Sequence, residues 1–439
     1  MRINVAPAQV RTHEGGIASR ITPTEELRRT IMACLLWESG FYESGEAVAA
    51  RIKRLVAACK PVDVAQMAIE AREKQHLRHA PLLLVRELAR DPSRCPDGLI
   101  AETLCSVIQR ADELAEFLAL YWQDGRRPLA KQVKKGLACA FRKFNEYQLA
   151  KYNRDASVKL RDVLFMVHAK PKDDEQAALW KRLVDGTLVA PDTWEVALSG
   201  GANKRETFER LLRERKLGYL ALLRNLRNMS AAEVDASLVF AALEEGAAKS
   251  KALPFRFVAA ARAVPQWEPA LDSAMQTAMA GLEKLPGSTI LLVDVSGSMD
   301  YPLSSKSDLT RMDAAAALAA LARGVCEDVR VFTFSDALAA VPTRSGMALI
   351  DAVIKSQPHH GTQLGAAIKA VGEKARADRI IVITDEQSRD SVGKPIGRGY
   401  MVNVATNERG VGYGDWTHVN GFSEAIVDYI VASEREALA

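Results

Sequence analysis

In the stretch ILLVDVSGSMD, residues 290 to 300, four apolar residues run into a cluster of oxygen-bearing side chains, with Asp294, Ser296 and Ser298 at alternate positions. Two later segments carry matching chemistry. HHGTQLG places Thr362 directly after a glycine, and RIIVITDEQ ends an apolar run on Asp385. Four uses of these residues compete. A serine nucleophile wants a G-x-S-x-G elbow, and neither Ser296 nor Ser298 has that glycine pair. An aspartyl-phosphate chemistry wants a second carboxylate two residues after Asp294, where this chain has Ser296. A polar turn capping a helix through Ser296 or Ser298 leaves Asp294, Thr362 and Asp385 unused. A divalent-cation site uses all five. Three hydroxyls and two carboxylates form a hard, oxygen-only set of low charge, suited to octahedral Mg²⁺ that keeps some of its waters, with Mn²⁺ or Ca²⁺ as alternatives. Such a set leaves a coordination position free for an acidic ligand.

The elements that must position these oxygens can be read from periodicity. After KLPGS (284 to 288), short apolar runs at Thr289 to Val295, Val329 to Phe334, Arg379 to Thr384 and Tyr400 to Ala405 alternate with helical stretches at 308–325, 345–355, 363–376 and 422–437. Strands buried on both faces and separated by helices predict a parallel, doubly wound α/β sheet. Ligands in such sheets bind beyond the carboxyl ends of the strands, where Asp294 and Asp385 fall.

Upstream the pattern is helical. Leu27, Ile31, Cys34 and Leu35 mark a first helix with Thr24, Glu25 and Glu26 as its expected N-terminal cap. Val48, Ile52, Leu55, Val56 and Cys59 mark a second, stopping at Pro61. Val107, Ile108, Ala111 and then Phe117, Leu118, Tyr121 and Trp122 continue the stripes up to the break at Gly125 to Pro128. Breakers recur and β-branched alternation is nearly absent, so the expected product is an all-α array of stacked helical hairpins. The division expected is 1–286 helical repeat and 287–439 α/β.

Bulk properties set limits on function. A chain of 439 residues exceeds one ordinary core. No apolar run approaches a membrane span and no leader pattern opens the chain, which predicts a cytoplasmic protein without a membrane partner. Six scattered cysteines without a C-x-x-C pair predict buried thiols rather than a zinc ribbon or disulfide framework. The net charge of +4 divides unevenly at Gly287, into +8 before it and −4 after it. A polyanion suits the basic part. One basic cluster joins Arg126, Arg127, Lys131, Lys134, Lys135, Arg142 and Lys143; a second runs from Lys204 to Arg227, with eight basic residues against Glu206, Glu209 and Glu214. Either row could neutralise phosphates or be a solvated helix face. His76 and His79 lack the HExxH pattern and read as ordinary histidines. His359 and His360 read as shaping the Thr362 loop.

The D-x-S-x-S stretch, the G-T loop and the strand-end aspartate together resemble the metal-ion-dependent adhesion site of von Willebrand factor A domains. The likeness spans roughly residues 287 to 439. It implies that Ser296 and Ser298 bind metal directly, Thr362 directly or through water, and Asp294 and Asp385 mainly through water. Gln363 departs from the pattern, standing where relatives often carry an acid. Upstream, VHAKPKD (167 to 173), TWEVALSG (193 to 200), LLRNLRNM (222 to 229) and LPFRFVAA (253 to 260) look like segments of the TROVE module of the Ro autoantigen family, whose architecture is TROVE followed by an A domain.

That resemblance implies a bacterial-type Ro protein: a ring of HEAT-like helical repeats closed by the A domain, binding small structured Y-like RNA and the single-stranded ends of misfolded RNA, in RNA quality control or RNP assembly. The implied contacts are His168, Lys170, Lys172 and Arg182, with Arg224, Asn225 and Arg227, beside the Arg127, Lys131, Lys134 and Lys135 cluster. An exoribonuclease and an acidic protein ligand at the metal are expected partners, and the chain is expected to be a monomer without enzymatic activity. The main alternative is a metal-dependent protein-binding adaptor with the helices as scaffold. A chelatase subunit would need an ATPase partner, because this chain has no G-x-x-x-x-G-K-[ST] loop.

Overall fold

The computed structural model describes residues 11–17, 22–33, 44–153, 157–250, 252, 254–282, 284–303, 309–404, 414–420, 430 and 434. Its packing divides into two units, Ala49–Gly201 on one side and Met1–Val48 with Ala202–Ala439 on the other. Cys34, Leu35 and most of the helix expected at 422–437 lie outside the described residues.

In the unit Ala49–Gly201 the expected helical hairpins form. The helices Pro61–Glu73, Leu99–Val107, Lys131–Phe141 and Leu160–Val167 stack side by side as one row, backed by His79–Leu88 and Asp112–Tyr121. Each start or stop has a local cause. Pro61 opens its helix at the position where a missing N–H costs nothing. Asn145 caps Glu146–Tyr152 in a reciprocal box with Gln148. Asp173 accepts from the Gln176 N–H to start Asp174–Asp185. The apolar stripes face inward: Leu137, Ala140 and Phe141 are fully buried, and Phe141 meets Trp180 edge-on at 5.3 Å. Burying each such leucine or phenylalanine contributes about 1.5–3 kcal/mol. The rows come closest at Gly136, where a Cβ would lie 2.8 Å from the Ala101 carbonyl oxygen and 2.9 Å from Leu104 Cβ.

One expectation fails in this unit. Cys105 and Cys139, 34 residues apart, form a disulfide between the Leu99–Val107 and Lys131–Phe141 helices. Close packing at Gly136 brings the two together, and nothing in their sequence spacing announces it. Cys59 and Cys326 are buried, and Cys95 is half-buried.

In the other unit Lys204–Arg213, Ala236–Ala247 and Glu268–Ala280 stack in one row, while Tyr219–Ala231 packs on Pro254–Ala263. The final helices of this array rest on the A-domain helices Arg311–Val325 and Gly346–Ile354. Asp272 accepts from the Met347 N–H at 2.8 Å, and a Cβ at Gly346, whose φ is +60°, would strike the same carboxylate. Among the described residues the sheet has six strands, β1 (Leu285–Asp294), β2 (Cys326–Phe334), β3 (Leu338–Ala340), β4 (Arg379–Thr384), β5 (Arg398–Asn403) and β6 (Thr417–Asn420), in the order β3-β2-β1-β4-β5-β6. All pairs are parallel except β2 with β3, which closes one edge. The doubly wound expectation holds; β3 and β6 were too short to stand out by composition. Strand order reverses between β1 and β4, the switch point at which such sheets open a crevice.

At the amino-terminal end Thr22, not Thr24, caps the first helix, Pro23–Ala33. Its hydroxyl accepts from the Glu25 N–H and Glu25 returns the bond to the Thr22 N–H, because Pro23 takes the first helical position. This segment is tied to the A domain. Thr12 donates to the Ser388 carbonyl at 2.6 Å, the His13 N–H donates to Gln387, and buried Arg29 pairs with buried Glu386, which also contacts His418 at 3.0 Å.

Candidate metal centre and basic groove

Asp294 ends β1 and Asp385 follows β4, so the crevice between these strands receives both carboxylates; each is about 1% exposed or less. The Ser296 N–H donates to Asp294 Oδ1 at 2.9 Å and Thr384 donates to its Oδ2 at 2.6 Å. Ser298 Oγ donates to Asp385 Oδ2 at 2.6 Å and lies 3.3 Å from Ser296 Oγ. Residues Gly297–Asp300 wind into a short 3₁₀ turn that aims both serines the same way. Ser296 stands at the head of that turn but makes no side-chain cap, and Ser298 turns its hydroxyl to Asp385. Burial, and then the charge of Asp385, hold the Asp294 carboxyl well above the ordinary aspartate range.

The third segment reaches the same place through Ser335, at the end of β2. Its hydroxyl accepts from the His360 N–H and its carbonyl from the Gln363 N–H, which fixes buried Thr362 between them. The His360 carbonyl accepts from the Gly297 N–H at 2.9 Å, joining the two loops directly. His359 bonds Asp300 and the Ile354 carbonyl, so both histidines shape this loop. Gln363 is exposed. The crevice thus holds Asp294, Ser296, Ser298 and Asp385, and the loop that carries buried Thr362 is bonded to it through Gly297 and His360. Sequence reasoning did not find Ser335 and Thr384, which orient them; both are common residue types with no motif of their own.

These donors fit a hard divalent cation. Two buried carboxylates repel each other, and a +2 charge between them would relieve that repulsion while the hydroxyls supplied neutral oxygens. Among the described residues no group of three or more His, Cys, Asp or Glu is placed to hold a metal ion, so a cation here depends on the hydroxyls.

The predicted RNA contacts fall into three classes of environment. In the unit Ala49–Gly201, Lys131, Lys134, Lys135, Ala138 and Arg142 form one stripe along the Lys131–Phe141 helix and its end. They face Val167, His168 and Lys170 across an open groove of about 490 Å³, with Leu129 completing its wall. His168 ends the preceding helix in the left-handed conformation, φ 52°, which turns the chain outward and exposes both His168 and Lys170. Arg142 Nε donates to the Lys170 carbonyl at 2.9 Å and buried Gln176 donates to the Arg142 carbonyl, so the two walls are fixed to each other. Among the described residues five cations and an imidazole line this groove, and no carboxylate does.

Other predicted contacts are engaged elsewhere. Arg182 is held by Glu146 through two bonds of 3.0 and 2.7 Å. Arg127 lies over the Tyr121 ring at 4.2 Å, outside the groove lining. Lys172 is exposed, 3.6 Å from Asp173. In the other unit, Asn225 is only 2% exposed, donating to the Ala221 carbonyl and accepting from Asn228. Burial therefore withdraws Asn225 from any base, because helical position and not residue type decides which side chains face water. Arg224 and Arg227 are exposed on the same helix. Arg256, over the Phe255 ring, joins Arg224: burial first and the Arg224 charge second hold it below the usual arginine range. The Lys204 to Lys216 row is largely neutralised along its helix. Arg205 and Arg213 share Glu209, Arg210 and Lys216 share Glu214, and Arg215 meets Glu245.

Among the described residues no helix is long and apolar enough to cross a membrane. Comparison with known protein families matches residues 171–311 to the TROVE domain and residues 289–396 to the Ro60 vWA domain. No curated protein matches the chain. Among solved structures, the crystal structure of the Deinococcus radiodurans RO (RSR) protein aligns with a TM-score of 0.58 at 19% identity, covering 94% of this chain and 99% of that one, a likeness of fold. The chain thus carries a TROVE domain running into a Ro60 vWA domain, the two modules in the order that the sequence resemblance implied, on a fold like that of the Deinococcus RO protein.

Proposed function

We propose that this protein binds small structured, Y-like non-coding RNA and the single-stranded ends of misfolded RNA, acting in RNA quality control or RNP assembly. The observation that carries the reading is the groove of Lys131, Lys134, Lys135, Arg142 and Lys170, which concentrates positive charge with no carboxylate among its described lining residues. Phosphates would release counterions on entering it, and His168 at its wall offers a ring for an unpaired base. Arg224, with the Arg256 charge beside it, adds a second positive set. The groove precedes residue 171, where the TROVE match begins, so its role rests on its chemistry. The domains proposed are 1–286 for RNA and 287–439 for the cation. A gel shift with a structured RNA bearing a single-stranded tail tests the reading. Binding at moderate salt that weakens in Lys170→Ala with Arg224→Ala supports it, and unchanged affinity in that variant refutes it.

The buried carboxylate pair favours a second role for the A domain. Mg²⁺ held by Ser296, Ser298 and Thr362, with Asp294 and Asp385 through water, would present an open position to an acidic side chain of a protein partner. RNA binding and cation binding are then separate properties of one chain, and no catalysis is assigned to either.

A further inference from the structure

We propose that Cys105 and Cys139 form a reversible thiol–disulfide site that locks the wall of the basic groove, making RNA affinity depend on oxidation; this rests on the RNA-binding reading above. The bond joins the Leu99–Val107 helix to the Lys131–Phe141 helix, and the second of these carries Lys131, Lys134 and Lys135. Cys139 directly follows Ala138, a groove-lining residue, and is itself exposed, while Cys105 is half-buried. Reagents therefore reach the bond from solvent.

The surroundings of Cys139 favour a thiolate. Lys135 lies one helical turn before it, and Arg142 and Lys143 follow at three and four residues. Lys143 is fixed near the pair, its Nζ donating to the carbonyls of Cys105 and Ile108. Partly exposed cysteines in electropositive settings are the ones that react. Glycine at 136 sets the approach, since a side chain there would push the helices and their sulfurs apart. Cys59 and Cys326 are buried and lack this access.

The chemistry balances with a peroxide as oxidant. The Cys139 thiolate attacks one oxygen of hydrogen peroxide, the O–O bond breaks, and hydroxide leaves and is protonated to water. The Cys105 thiol then attacks the sulfenic sulfur, the S–O bond breaks, and a second water leaves. Two thiols and one peroxide become one disulfide and two waters. A small dithiol reverses the step by exchange. In a glutathione-buffered compartment the resting form is the dithiol, and oxidation marks peroxide exposure. Oxidation pins the lysine-bearing helix at Cys139, so the groove meets RNA with less ordering left to do.

The test uses the full-length protein, reduced with dithiothreitol or treated with hydrogen peroxide and then desalted. Peptide mapping without reduction should find the Cys105–Cys139 cross-link only after peroxide, reversed by dithiothreitol. The linked form should melt higher by on the order of 5–10 °C. Its affinity for a tailed structured RNA should exceed that of the reduced form by about two- to tenfold, the effect of immobilising a side chain. The variant Cys105→Ser with Cys139→Ser should bind RNA like the reduced protein and ignore peroxide. Failure to form the cross-link overturns the site. Cross-linking with equal RNA affinity in both states overturns the coupling while leaving RNA binding intact, and absence of RNA binding in both states overturns the underlying function itself.

Discussion

If the groove takes phosphates, its charge must appear in the salt dependence of RNA binding. The five cations lining it set an upper limit of five neutralised phosphates. For a single strand that limit corresponds to a slope of log affinity against log salt of about −3.5, and for a duplex of about −4.5. Between 50 and 200 mM salt the groove alone then weakens binding by roughly one hundred- to five hundredfold. Lys134→Ala with Lys170→Ala removes one charge from each wall, and should make the slope shallower by about 1.5–2 while weakening binding to unrelated sequences equally. Fluorescence anisotropy across a salt series, on the same tailed RNA, measures both quantities. The difference between wild type and variant isolates the groove, whatever Arg224 adds elsewhere. Arg205→Ala with Arg213→Ala is the control of equal charge, because both arginines already share Glu209. Slopes equal within about 0.3 for wild type and the groove variant, or a larger change in the control, would refute the reasoning.

Further outcomes follow from packing and from the cation centre. At one hundred times its dissociation constant Mg²⁺ should stabilise the protein by about 2.7 kcal/mol, seen as a rise in melting temperature that Asp294→Ala abolishes. The same variant, if folded by circular dichroism, should keep its RNA affinity, and a collapse would mean that the cation serves RNA binding. Gly136→Val should lower stability by about 1–3 kcal/mol in urea unfolding, since its side chain would meet the Ala101 carbonyl at under van der Waals distance. Arg29→Ala should cost about 3 kcal/mol by removing the arginine paired with buried Glu386, and should loosen the Pro23–Ala33 helix in hydrogen exchange.

The sequence by itself determined the elements and where the proposed cation donors fall on them. Apolar runs with helices between them dictate a doubly wound sheet, and such sheets open at their strand ends, so residues as distant as Asp294 and Asp385 could be assigned to one crevice before any coordinates. Helical periodicity likewise fixed the stripes of the upstream array, because a 3.6-residue period is a local property. What tertiary structure alone decided is which charges are free and which residues meet. Glu209, Glu214 and Glu245 silence a basic row that counts as strongly positive in the sequence. Burial turns Asn225 inward, and a glycine contact brings Cys105 to Cys139 across 34 residues. Lys134 and Lys170 share a groove because a left-handed turn at His168 faces the neighbouring helix. Local sequence sets where a chain turns and which face is apolar; only packing sets what that face presses against, and so where its uncompensated charge accumulates.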